Sequence, residues 1–340
     1  MGHMRTRSKQ SGAALLLALL IMTLVATLAA GMVWLQWRGI EVEAAERART
    51  QAEWLLNASL DWGNLILKSS NRSPHTEDDL GQPWATPLEE TKLSSFLSAD
   101  GKNRDDDSGP EAYLSGQITD ADGKYNVYNI LLNTTGGKFD EINRLKIICS
   151  AIGVAPDTAD KIGAGLRESD SAATNAGQNG QNGPAATAVL MPIQVADLAW
   201  YGIDPKVLKQ LEPFIELLPG TPGTVTNINL NTAPAEVLMA AMPGLTRSQA
   251  QQLILSRQQH PFSATSDALA ALKISKAAGW PVPEGDPPLQ WDVKSFHFEI
   301  FGQLRYEQHV IRELSVVYRS ANSFAPIQVL RRERLPPNPA

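Results

Sequence analysis

Between Ala13 and Val33 the chain carries no charged side chain, and Thr23 and Thr27 supply its only hydroxyls. At about 1.5 Å rise per residue, a helix of this run spans a bilayer core of about 30 Å. Arg5, Arg7 and Lys9 precede it, and Ser11-Gly12 lies between those cations and the apolar run. Cations stay on the cytoplasmic side, so everything after Trp34 is expected on the far side of the membrane. In an ordinary secretory signal, a shorter apolar region of about 7–15 residues comes before a small-residue cleavage site. Here the glycine comes before the apolar run. A peptidase acting at the cytoplasmic face could cut between Gly12 and Ala13 and leave a chain that begins with its membrane helix; the alternatives are a plain single-span anchor that is never cut and a secretory signal cleaved around Ala29-Ala30.

The remaining sequence has room for more than an anchor. With 340 residues and 43% hydrophobic content, it can bury a sizeable core. The net charge of -6 argues against a dedicated nucleic-acid binder, which needs a basic face. Cys149 is alone, so it forms no intramolecular disulfide, and its apolar setting marks it as a small core residue. The five histidines are not spaced as metal ligands, and neither a nucleophile elbow nor a phosphate loop occurs. The sequence therefore reads as non-enzymatic.

Helix formers continue past the membrane run, and Trp54, Leu55, Ala58, Trp62, Leu65 and Ile66 recur at helical spacing. One long helix is expected from about 14 to 68, with a sheet against its apolar stripe. A polar stretch follows to Pro110, with a short helix near 88–97 and the solvated run Asp105-Asp106-Asp107. Tyr113–Thr119 and Lys124–Leu131 flank Asp120-Ala121-Asp122-Gly123, which reads as a hairpin turn and not as a calcium loop. From about 143 to 283 the pattern is helical. Helices are expected near 141–153, 156–168, 197–200, 205–212, 233–241, 247–259 and 265–273, with a flexible Gly/Asn-rich loop over 169–184. Strand patterns return at 291–304, 310–319 and 326–334. The fold class is therefore α+β: a long N-terminal helix on an antiparallel sheet, with a large helical domain inserted between strands.

Inside the helical block, Ile228-Asn229-Leu230-Asn231-Thr232-Ala233-Pro234 precedes Pro243-Gly244 and a second helix. Thr232 suits a cap for the first helix, and Pro234 suits its first turn. The outline is that of a helix-hairpin-helix, which elsewhere presents backbone amides to phosphates. Its turn lacks the usual Gly-x-Gly, and Arg247 is the one nearby cation. A structural module is the better reading.

The glycine-before-helix leader resembles that of type IV pilins and type II secretion pseudopilins. The Asn-x-Asn-Thr-Ala-Pro run resembles the signature of the minor pseudopilin K family. Met191-Pro192-Ile193-Gln194, Leu211-Glu212-Pro213-Phe214, Gly123-Lys124-Tyr125-Asn126-Val127 and Asp292-Val293-Lys294-Ser295-x-x-Phe298 resemble its other segments in the same order. Pilin-like subunits carry a glutamate five residues after the cut, whereas here that position is Leu17 and no acid occurs before Glu41. The K family is known for that absence.

The resemblance implies a leader at 1–12, cleavage between Gly12 and Ala13 with N-methylation of Ala13, and a transmembrane helix at 13–34. It also implies a pilin-like domain at 35–142 and 284–340, split by an inserted helical domain at 143–283. The implied function is that of a minor pseudopilin, a tip subunit that helps initiate and cap the periplasmic pseudopilus of type II secretion for export of folded proteins. The alternatives are a DNA-binding minor pilin of a competence or type IV system, and a membrane-anchored periplasmic enzyme.

The implied partners are minor pseudopilins of the I, J and H types, the major pseudopilin, the prepilin peptidase, the inner-membrane assembly platform and exported cargo, with no nucleic acid. The implied location is the bacterial inner membrane, single-pass, with the soluble part in the periplasm. Family members also bind calcium beside a Trp-Ile-Asp-x-Asp pattern. The nearest equivalent here is Leu166-Arg167-Glu168-Ser169-Asp170, which lacks the tryptophan and makes Glu168 and Asp170 the candidate calcium ligands.

Overall fold

The computed structural model describes residues 11–70, 77–92, 112–132, 141–178, 190–219, 225–242, 244–273, 291–306, 309–322 and 324–336. The basic leader, the Asp105–Asp107 run, Pro243 and the end of the Gly/Asn-rich stretch lie outside them. The chain divides into two units, Met1–Leu55 and Leu56–Ala340.

The described part of the first unit is helix α1 (Ser11–Ser70), which continues into the second unit. By length and composition α1 can cross a membrane. Thr23 and Thr27 donate their hydroxyls back to the carbonyls of Leu20 and Leu24, each at 2.9 Å, so neither enters a hydrocarbon phase unsatisfied. Arg38 stacks over Trp34 at 5.8 Å, the amphipathic pairing that suits a membrane–water boundary. Farther along, Glu43 pairs with Arg47, and Arg49 with Glu53 at 3.3 Å, both across one helical turn.

The second unit opens with the rest of α1, packed on a five-stranded antiparallel sheet. The strands are β1 (Leu88–Lys92), β2 (Ala112–Asp120), β7 (His297–Tyr306), β8 (His309–Tyr318) and β9 (Gln328–Leu335), adjacent in that order. β2 and β7 pair from Ala112–Tyr306 to Asp120–Phe298. Leu60 and Leu67 of α1 meet Ile118, Phe298, Ile300 and Val317 in one buried cluster. Trp84 closes it, with its ring edge-on to Phe298 at 5.2 Å. Gly63 lets the helix lie close to the sheet, since a Cβ there would sit 3.2 Å from Ile300.

The chain between β2 and β7 builds a second core. Its elements are β3 (Tyr125–Asn126), α2 (Asn129–Leu132), α3 (Glu141–Ala151), α4 (Asp157–Gln178), a 3-10 helix (Val195–Tyr201), α5 (Pro205–Leu211) and β4 (Ile215–Glu216). Then come β5 (Ile228–Asn229), α6 (Ala235–Ala241), α7 (Arg247–Gln259), α8 (Thr265–Ala271) and β6 (Trp291–Asp292). Tyr125, Ile148, Ile162, Leu198, Leu238 and Leu253 are among the side chains of this one continuous core. The short strands pair in parallel, β3 with β4 and β5 with β6.

The long helix, the antiparallel sheet and the helical block between strands all match the sequence reading. Four local expectations do not. The helix expected near 88–97 begins as β1, because antiparallel pairing with β2 outweighs the weak helix preference of Leu-Glu-Glu-Thr-Lys. The hairpin expected at Asp120–Gly123 is a crossover: β2 pairs with β1 and β7, while β3 pairs with β4. The start of the loop expected over 169–184 is helical: α4 runs on to Gln178, and Ser169 is held on it by the Tyr201 hydroxyl at 2.9 Å. Thr232 caps no helix: Pro234 occupies the N-cap of α6, and the Thr232 hydroxyl turns to Asp120 instead.

Candidate functional site

The Asn-x-Asn-Thr signature does its work inside the protein. Asn229, at the end of β5, is fully buried. Its Nδ2 donates to Ser295 Oγ at 2.7 Å, to the Asp78 carbonyl at 3.0 Å and to Asp120 Oδ2 at 3.1 Å. Its Oδ1 accepts the Asn231 amide at 2.8 Å, which curls the chain tightly after β5. Asn231 then holds Phe262 like a strand partner, accepting its amide at 2.8 Å and donating to its carbonyl at 2.9 Å. Arg257 of α7 gathers the carbonyls of Leu230, Thr232 and Ala233.

Three carboxylates gather here: Asp120 bonds this segment, and Asp122 and Asp78 bond residues 295–297 beside it. Asp120 Oδ2 accepts from Thr232, Ser295 and Asn229. Asp122 accepts the amides of Phe296 and His297 at 2.6 and 3.0 Å, and it pairs with His297 Nδ1 at 2.8 Å. Asp78 pairs with Arg319 at 2.5 Å and accepts the Ser295 amide. Arg319 also donates to Ser70 at the end of α1 and stacks on Phe298 at 4.5 Å. Sheet, α1 terminus and helical block therefore meet at one buried polar joint. Burial pushes the Asp120 carboxyl up to about 7, and the charge of Asp122 adds to the rise.

A second ionic cluster lies where β4 approaches the sheet. Lys124 Nζ sits 2.6 Å from Glu299 and 3.7 Å from Glu216, and Arg331 approaches Glu216 at 3.3 Å. Burial, and then the neighbouring Glu299, raise Glu216 to about 7. Burial is the largest influence on Glu299 and works to raise it, but the charge of Lys124 and the hydrogen bonds from Glu216, Lys124 and Thr119 together outweigh it and hold that carboxylate low. The proton shared by this pair therefore sits on Glu216. Cys149 is fully buried, and burial raises its thiol to about 11, as befits a core residue and not a nucleophile.

The site residues read from the sequence lie apart from this joint. Gly12, Ala13 and Leu17 are on α1, where nothing within 4 Å would obstruct a Cβ on Gly12 and Leu17 is 63% exposed. Glu168 and Asp170 are both exposed on α4, two positions apart and hence on different faces. Among the described residues no group of three or more Asp, Glu, His or Cys side chains is placed to hold a metal ion. The hairpin between α6 and α7 turns at Gly244, whose φ is +93°. Its cation, Arg247, bonds Glu236 at 3.0 Å and the Ala151 carbonyl at 2.8 Å, so it is occupied internally.

The joint itself was missed by sequence reasoning. Its available signal was Asp-x-Asp at a strand end together with Asn-x-Asn-Thr, two short polar runs more than a hundred residues apart.

A family model for type II secretion system protein K matches residues 228–283, which begin in β5 with the signature. The Type II secretion system protein K of Pectobacterium carotovorum subsp. carotovorum is 26% identical over 351 aligned residues, covering 96% of this chain and 97% of that protein. Among solved structures, a chain in the crystal structure of the GspK-GspI-GspJ complex of the enterotoxigenic Escherichia coli type 2 secretion system is similar in fold. Its TM-score is 0.63 at 18% identity, covering 86% of this chain and 99% of that one. In its signature segment, over nearly its full length and in its fold, this chain is therefore similar to type II secretion system protein K.

Proposed function

We propose that this chain is a minor pseudopilin of type II secretion that sits at the pseudopilus tip. It would be anchored in the inner membrane by α1, with its second unit in the periplasm. Two observations carry the tip position together, and the first is the acid-free run of α1: Leu17 stands at the fifth position after the proposed Gly12–Ala13 cut, and the first carboxylate is Glu41. A subunit without that carboxylate cannot neutralise the N-terminal ammonium of a neighbour inside an apolar filament, and an unpaired charge there is costly. Such a subunit fits the end of a filament and not its shaft.

The helical block between β2 and β7 supports the same reading, because a bulky insertion hinders the stacking of a further subunit. The similar solved chain belongs to a complex with GspI and GspJ, and this chain is proposed to associate with minor pseudopilins of those types. Its role is assembly and not catalysis.

The deciding experiment is intact mass and N-terminal sequencing of the protein from its own membrane, with and without the prepilin peptidase. The expected product begins at N-methylated Ala13 only when the peptidase is present. A retained leader would leave a plain membrane anchor and remove the tip assignment.

A further inference from the structure

The K-type resemblance implies a calcium ion in the helical block, but the described residues of that block do not make a shell for one. A calcium ion takes six to eight oxygens, several of them anionic, and its backbone ligands come from loops. Here the candidate segment lies within α4, a continuous helix over Asp157–Gln178. The carbonyls of its interior accept intrahelical hydrogen bonds and point along the axis. Glu168 and Asp170 leave the helix in different directions. The two other acids of α4 are spoken for, Asp160 by Lys146 at 2.7 Å and Asp157 by Lys161 at 3.1 Å. Asp160 is also two turns away from Glu168, about 12 Å along the axis. From Ser171 to Ala196 the sequence contains no Asp or Glu at all.

The same stretch of α4 carries a contact that does the tethering. Ser169 is 1% exposed, and its Oγ lies 2.9 Å from the Tyr201 hydroxyl and 3.4 Å from the Leu190 carbonyl. The Tyr201 ring lies flat against the helix, so close to Gly165 that a Cβ there would be 2.4 Å from it. One helix face thus holds both ends of the segment from Leu190 to Tyr201.

We propose that a Ser169–Tyr201 clamp seated on Gly165 fixes the 190–201 segment to α4 in place of calcium, so that the helical block of this chain folds independently of the ion. The inference goes beyond the tip assignment and stands or falls without it.

The test uses the full chain in detergent, followed by thermal unfolding and by amide hydrogen exchange, with millimolar calcium chloride or with excess chelator. The expected result is the same Tm in both. Ser169→Ala and Tyr201→Phe should each lower Tm by about 2–4 °C in both conditions, the shift expected for one buried hydrogen bond in a unit of this size. Both should also speed exchange across 190–201. Two results would overturn the proposal. One is a calcium-dependent rise in Tm that disappears in the Glu168→Ala/Asp170→Ala double variant. The other is unchanged exchange across 190–201 in both clamp variants.

Discussion

Asn229 Nδ2 lies 3.1 Å from Asp120 Oδ2, joining the start of the signature to the end of β2 across more than a hundred residues of chain. The same amide group serves Ser295 and the Asp78 carbonyl, so its removal takes a donor from three separate segments at once. Asn229→Ala should cost roughly 2–4 kcal/mol, because buried partners left unpaired carry their full desolvation penalty. Denaturant unfolding would measure it. A loss below about 0.5 kcal/mol would mean that water enters and replaces the amide.

Stability should be greater at mildly acidic pH than above neutrality. The carboxyls of Asp120 and Glu216 are both raised to about 7, whereas in the unfolded chain they titrate near 3.8 and 4.5. Between those values and about 7 the folded chain holds protons that the unfolded chain has lost. The stability these two groups contribute is full below the unfolded values and drains away as pH rises to about 7. Glu299 is shifted the other way, so its contribution fades only when the solution becomes strongly acidic. Unfolding free energy measured at pH 5.5 should exceed that at pH 7.5, with a slope of up to about 1.4 kcal/mol per pH unit for each raised group. A flat or rising profile would show both groups ionised in the fold.

Gly165→Ala should be among the most damaging single-methyl additions in the helical block. The new Cβ would lie 2.4 Å from the Tyr201 ring, which is packed and cannot swing aside like a flexible chain end. A loss of about 1–3 kcal/mol is expected in thermal unfolding. Gly163→Ala meets only the flexible end of Ile142 at 2.8 Å and should cost less.

Arg247→Ala gives a direct check on DNA binding by the α6–α7 hairpin. Its guanidinium is engaged by Glu236 and Ala151, so the variant should lose at most about 1 kcal/mol of stability. Neither the parent nor the variant should bind duplex DNA with the steep salt dependence of phosphate recognition. A titration at low and moderate salt decides it.

Replacing Leu17 with Glu tests what keeps the subunit at the tip. The variant is expected to remain at the tip, since the helical block still opposes stacking. Immunolabelling that found it distributed along the shaft would assign tip placement to position 17 instead.

The broad architecture was legible because long-range periodicity reports it. The apolar run of α1 and the alternation along β7, β8 and β9 are each enough to set an element. α7 was legible to the residue at both ends, since Thr246 and Gln249 form a capping box and Gln259 precedes a proline two residues on. Local composition misled where tertiary contacts decide. Asp120-Ala121-Asp122-Gly123 has the chemistry of a turn, but its carboxylates are acceptors for residues 229–232 and 295–297, which no window of neighbouring sequence contains. A Cβ at Gly123 would meet Thr232 at 2.9 Å, so even that glycine serves a distant close approach. Composition assigns Ser169 to a flexible loop, but it lies in α4, because single-residue propensity does not include its contact with the Tyr201 hydroxyl.

The order of strands in the sheet also constrains how the chain comes to be folded. β2 pairs with β7 along its whole length, yet some 180 residues of chain separate Asp120 from Phe298. Closing so long a loop is entropically costly and slow, and it succeeds only once the intervening helices have shortened it. A chain emerging from a translocation channel therefore cannot complete its sheet until almost the last of it has arrived. During that interval the inner faces of β2 and α1 remain uncovered and open to misassociation. Any factor that shields a newly delivered chain should bind these two surfaces, and its grip should be lost when Phe298 docks against Trp84.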